Sequence, residues 1–164
     1  MVTINKNYIK MLHQAAWLNR IMLAIVYVWF GFLKIIGNSP AEGLVSDLFH
    51  KTLSGLMASS QFVIALGIFE CLLGVVWLFP SLTKYAYFTL IFHLITTFLP
   101  IVLLPNATWS SFFTLTLVGQ YIVKNVVLFS AAYFVYAFFV PPVSVGVTDS
   151  QSLLDSKSEG LDTK

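Results

Sequence analysis

Four long runs of apolar residues, nearly free of charge, govern what this chain can fold into. They extend from Leu18 to Ile36, from Gln61 to Phe79, from Tyr85 to Leu104 and from about Phe112 to Val140. Each approaches or exceeds the roughly 18 apolar residues that a helix needs to cross a hydrocarbon core, and each is too long for a strand in a soluble core. The chain is 58% hydrophobic and 10% charged. A soluble domain carries about 25% charged residues, so there is too little charge here to coat a water-facing surface. The expected fold is an all-α membrane protein: a four-transmembrane-helix antiparallel bundle over residues 1–140, followed by a polar tail over 141–164.

The same composition excludes several classes of function. A formal charge of +2 with no basic block argues against nucleic acid. Cys71 is the single cysteine, so no intrachain disulfide can form, and it says nothing about redox compartment. There is no nucleotide-binding loop, nucleophile elbow or CxxC motif. No pair of ligands stands at metal-binding spacing, so no metal is expected. Haem held by two histidines is disfavoured, because His13 and His50 lie outside the spans and only His93 lies within one.

Lys6, Lys10 and Arg20 precede the first run, but no small-x-small cleavage site ends it and Lys34 interrupts where cleavage would fall. The run therefore reads as a retained span rather than a signal peptide. Tyr8 to Trp17 reads as a short interfacial segment, with both rings at headgroup level. The basic flank of Lys6, Lys10 and Arg20, with Lys84 between spans two and three, places both termini on the cytoplasmic side of the membrane. The tail carries Asp149, Asp155, Lys157, Glu159, Asp162 and Lys164 with few large apolar residues, and is expected to be disordered.

Between the first two spans, Ser39-Pro40-Ala41-Glu42 has the form of a capping box with Ser39 as N-cap. Leu44, Val45, Leu48 and Phe49 then fall on one helical face, with His50 and Lys51 at the negative end of the dipole. The expectation is a short amphipathic helix on the outer surface, either covering the bundle mouth or serving as a passive interfacial strap.

Each span presents small or polar residues at alternating steps of three and four. The stripes are Arg20, Ala24, Tyr27, Gly31 and Lys34; Gly67, Glu70, Cys71 and Gly74; His93, Thr96, Thr97 and Pro100; and Gln120, Lys124, Val127 and Ala131, with Asn125 beside them. Burying these faces against one another while Leu, Phe and Val meet lipid is the favourable packing. At about 1.5 Å per residue, Glu70 and His93 both lie roughly 13 Å from the cytoplasmic side, near the midplane. Lys124 falls in the outer half and Lys34 close to the outer surface. A carboxyl at bilayer depth needs a partner, and Lys124 is the expected counter-charge for Glu70, with His93 second. The candidate polar seam is Lys34, Glu70, His93, Thr96, Thr97, Gln120, Lys124 and Asn125. Plainer roles stand beside this one: Lys34 snorkelling to headgroups, His93 bonded to a neighbouring carbonyl, and the Glu70 pair acting as structural glue.

Trp29-Phe30-Gly31-Phe32-Leu33-Lys34 followed by Ala41-Glu42-Gly43 resembles the first-span signature of DoxX-like membrane proteins, including the YkgB/RclC type. Phe69-Glu70 with Leu72-Leu73-Gly74, His93 with Thr96 to Pro100, and the stretch from Gly119 to Leu128 around Lys124-Asn125 resemble that family's second, third and fourth spans, in order. The resemblance implies a four-helix protein of the bacterial inner membrane. It also implies an association with quinone-linked oxidation or oxidant resistance, as a subunit or accessory factor that is not an enzyme by itself. The partners to expect are the lipid bilayer, quinone and a membrane or redox partner protein. A non-catalytic scaffold, or a small permease for a solute or proton, are the alternatives.

Overall fold

The computed structural model describes residues 6–140; the polar tail expected over 141–164 lies outside the described residues. In chain order the elements are α1 (Lys6–Ile35), α2 (Glu42–Thr52), α3 (Ser59–Val76), a 3-10 turn (Pro80–Leu82), α4 (Thr83–Leu103) and α5 (Pro105–Thr108). They are followed by β1 (Trp109–Ser111), β2 (Thr114–Leu115), α6 (Leu117–Lys124) and α7 (Val126–Phe139). Four stretches are long and apolar enough to cross a membrane: Lys6–Ile35, Ser59–Val76, Pro80–Leu103 and Leu117–Phe139. Among the described residues, apart from one small hairpin, this is an all-α, multi-pass membrane protein.

The segment expected to lie separately at the interface, Tyr8 to Trp17, is instead the first part of α1. That helix has 30 residues. At a rise of about 1.5 Å each it is roughly 45 Å long, well beyond a hydrocarbon core of about 30 Å. Its first turns are held by aromatic contacts, His13 meeting the Phe138 ring at 5.8 Å and Trp17 meeting Phe139 edge-on at 5.9 Å.

Glycine brings α1 and α3 into backbone contact. A methyl group on Gly31 would stand 2.6 Å from the Gly67 carbonyl oxygen, and one on Gly67 would stand 2.7 Å from the Gly31 carbonyl oxygen. Further along, Gly74 lies against the Ala24 carbonyl and Val28. Because Gly31 meets Gly67 and Ala24 meets Gly74, the two helices run in opposite directions. Close backbone approach of this kind supplies the dispersion contact that water exclusion cannot supply in lipid. α7 packs on both α1 and α4, and α3 on α4, around Leu23, Tyr27, Leu73, Trp77, Leu90 and Val135. Phe32, Leu72, Phe88, Phe92 and Val127 face outward, as lipid-facing residues should.

Arg20, expected both as a flanking cation and on the stripe of the first span that packs against the other helices, is wholly buried. Its guanidinium donates to the Trp77 carbonyl oxygen and to Thr83 Oγ1, both at 2.5 Å, and lies 4.3 Å from the Phe139 ring. Trp77 follows the last residue of α3, where a helix leaves carbonyls without internal partners. Arg20 satisfies one of them and fastens the turn from α3 to α4 onto α1.

α2 begins at Glu42 with no side-chain cap, so the expected capping box is not formed. Ser39 Oγ accepts from the Ala41 N–H at 3.3 Å and the Ser39 carbonyl from the Glu42 N–H at 3.1 Å, which closes a turn ahead of the helix. The apolar face of α2 does pack: Phe49 is buried and its ring lies 4.9 Å from that of Phe62 on α3. Lys51 Nζ donates to the Leu103 carbonyl, which ties α2 to the end of α4. The fourth span is shorter than its apolar run. It starts at Leu117, capped by Thr116, whose hydroxyl accepts from the Gly119 N–H at 3.1 Å, and it breaks at Asn125 between α6 and α7.

Candidate functional site: a buried Lys-Glu-His cluster

Glu70 projects from α3 into the space between α1 and α4 and is 6% exposed. Its Oε2 accepts from Lys34 Nζ at 2.6 Å, and its Oε1 lies 3.3 Å from His93 Nε2. Three spans thus each contribute one ionisable side chain to a single buried cluster. The glycine contact sets it up. With no side chains between Gly31 and Gly67, α1 sits close enough for Lys34, one turn past Gly31, to reach the carboxylate. The Lys34 ammonium turns back along its own helix, 3.5 Å from the Phe30 carbonyl oxygen.

His93 is held from both sides. Tyr27 on α1 and Phe69 on α3 present their rings at 5.6 and 5.7 Å from the imidazole. Behind it, Thr96 and Thr97 donate to the His93 carbonyl oxygen at 2.7 and 2.8 Å, so these hydroxyls are spent on their own helix. Tyr27 is buried, and its hydroxyl has no hydrogen-bond partner among the described residues. The depth argument singled out Glu70 and His93 but did not include Tyr27. The signal was present, since Tyr27 stands on the same stripe as Gly31 and Lys34.

The structure gives Glu70 a different counter-charge from the expected one. Lys124 is exposed, with its Nζ 5.0 Å from the centroid of the Tyr121 ring, and Lys34 takes the position beside the carboxylate. Gln120 is also exposed, its amide donating to the Leu115 carbonyl at 3.4 Å, and Asn125 is half-buried at the junction of α6 and α7. The seam therefore divides. Lys34, Glu70 and His93 meet, with Thr96 and Thr97 behind them, while Gln120 and Lys124 stand on the outside.

Two apolar grooves flank this arrangement. One, of about 280 Å³, lies between α3 and α4 and is lined by Phe69, Leu72, Leu73, Val76, Tyr85 and Ala86 among others. The second, of about 350 Å³, lies between α4 and the fourth span and includes Leu94, Phe98, Val126 and Phe129. Phe69 belongs both to the first groove and to the wall around His93, so the groove and the charged cluster share this ring.

Chemically the cluster offers a carboxylate, an imidazole, an ammonium and a phenol, a set suited to holding and passing protons or to bonding a small polar group. Each charge has its complement at contact distance. In a low-dielectric interior, removing either charged partner leaves the other stranded, at a cost of about 3–5 kcal/mol. Comparison with protein-family models, with curated proteins and with solved structures finds no match for this chain.

Proposed function

We propose that this chain is a bacterial inner-membrane protein of the DoxX-like type, an antiparallel four-helix bundle with both termini cytoplasmic. In this reading it serves a redox or oxidant-response system as a subunit or accessory factor. Lys34, Glu70 and His93 meet the polar end of a quinone or small solute that enters along the groove between α3 and α4. The observation that supports it is the cluster itself: three ionisable groups from three spans, with Phe69 shared between the wall around His93 and an apolar groove. Charges are rare inside membranes without a role, and those that occur mark ligand sites or proton paths.

Photolabelling with an azidoquinone in native membranes tests this. Glu70→Gln and His93→Gln should keep helicity and lose labelling of α3 and α4 peptides. Labelling unchanged in both variants rejects the ligand site. One observation favours a second reading, a non-catalytic scaffold: both Glu70 oxygens are already engaged within the chain. Under that reading, the same partner proteins copurify with wild type and Glu70→Gln, and neither preparation holds quinone.

A further inference from the structure

Between α5 and α6 the chain makes a hairpin whose tip is occupied by two phenylalanines. β1 and β2 pair antiparallel, Trp109 opposite Leu115 and Ser111 opposite Thr114, so Phe112 and Phe113 form the two-residue loop. Loops of this length favour Asn and Gly, because the backbone must enter the left-handed region. Phe113 does so at φ 57°, the one non-glycine residue with positive φ among those described. A bulky aromatic residue there is strained, and such strain persists where the surrounding structure imposes it. Phe112 and Phe113 are 91% and 84% exposed, their rings edge to face at 4.8 Å. The fold therefore holds two large apolar rings clear of its own surface.

The base of the hairpin is fastened while its tip is not. The Trp109 indole N–H donates to the Ile101 carbonyl at 3.1 Å, and the Thr116 hydroxyl to the Ala107 carbonyl at 2.7 Å. Gly119 lies against Thr108, where a methyl group would stand 2.2 Å from the carbonyl oxygen. These contacts tie the hairpin to the last residues of α4 and the first of α6, which are the membrane ends of two spans. At about 3.3 Å per residue, a three-residue strand carries the tip no more than about 10 Å from that base, comparable with the headgroup layer. From Leu94 to Val123 there is no Asp, Glu, Lys, Arg or His, so no charged group in this stretch opposes burial in lipid.

We infer that the Phe112–Phe113 tip is an interfacial membrane anchor, seated among the headgroups and upper acyl chains of the leaflet next to α5 and the start of α6. Its partner is the phospholipid surface. Trp109 at the base is the amphipathic kind of ring that membrane proteins place at the interface, and the apolar Phe112 and Phe113 rings suit the boundary between headgroups and acyl chains. With the hairpin tied to both flanking spans, the anchor fixes the height of α4 and α6 in the bilayer.

The test places a nitroxide on Phe113→Cys, and separately on Phe112→Cys, in a Cys71→Ala background. The full chain is reconstituted in vesicles of phosphatidylethanolamine and phosphatidylglycerol. Both tip positions face away from the rest of the protein, so folding is retained, and helicity checks it. The expected result is collision with molecular oxygen in excess of collision with a water-soluble nickel chelate, with Ser110→Cys intermediate. Nickel collisions in excess at both tip positions put the tip in water and overturn the anchor. Protection from both reagents shows a protein contact, from a second copy or another chain, and overturns it as well.

Discussion

Lys34 and Lys124 are both lysines within membrane-spanning helices, yet one is buried on a carboxylate and the other lies on the outside of the molecule. Helix direction accounts for the difference. Side chains on an α-helix lean toward its N-terminus. Lys34 is in the last turn of α1, so its lean carries the ammonium back toward Phe30 and the interior. Lys124 is the last residue of α6, and the same lean carries it over Tyr121, back toward the start of the span. The residue nearer the helix end thus reaches the deeper carboxylate, and the residue at greater depth turns outward.

The largest effect should come from breaking the buried pair. Lys34→Met leaves Glu70 without its ammonium and should cost about 3–5 kcal/mol, read as a lowered thermal midpoint in detergent. Lys34→Met combined with Glu70→Met should recover most of that loss, because replacing both charges with apolar groups is often neutral or better. A double variant no more stable than the single one would mean that Lys34 acts through something other than Glu70.

Next in size is the approach that makes the pair reachable. Gly67→Ala puts a methyl group 2.7 Å from the Gly31 carbonyl oxygen and 2.9 Å from Lys34 Cβ, so α1 and α3 must separate. Overpacking of this kind costs about 1–3 kcal/mol. It should also lengthen the Lys34–Glu70 contact, so that adding Lys34→Met on top costs less than it does in the wild type. Full additivity of the two changes would show that helix spacing does not govern the pair.

His93 should matter less than Lys34, since its Nε2 stands 3.3 Å from Glu70 Oε1, a longer contact than the 2.6 Å of the Lys34 ammonium. His93→Leu removes the polar group nearest Glu70 Oε1 and should cost about 1–3 kcal/mol, with His93→Gln intermediate because an amide can donate to the carboxylate. Equal midpoints for the leucine and glutamine variants would assign the imidazole a packing role between Tyr27 and Phe69.

How far the sequence foretold this depends on the residue. The spans were legible because length and apolarity alone specify them. The meeting of Glu70 and His93 follows from counting helical rise inward from the two ends of the α3–α4 turn. Lys34 was placed in the seam but not paired with Glu70, because the count located its Cα near the surface and took no account of the N-terminal lean or of the glycine contact. The burial of Arg20 was legible from its place on the stripe with Ala24 and Tyr27, while its partners were not, because helical spacing says nothing of which carbonyl a guanidinium will meet. The Phe112–Phe113 tip was absorbed into the fourth span, since hydropathy does not distinguish a lipid-facing helix from an aromatic hairpin lying beside it.

The smallest expected effect is the most exposed test of the comparison. Lys124 has no carboxylate within reach among the described residues; its ammonium meets only the face of Tyr121, where an exposed cation–π contact contributes about 0.5–1 kcal/mol. Lys124→Met should therefore shift the thermal midpoint slightly, and its effect should add to that of Glu70→Gln, because the two side chains share no partner. Additivity fits a lysine that turns outward to the membrane surface. A coupling between positions 124 and 70 as strong as that between 34 and 70 would put both lysines on one carboxylate and erase the distinction between them. A loss on Lys124→Met as large as that on Lys34→Met, with no coupling to Glu70, would give Lys124 a separate anionic partner in lipid or in another chain.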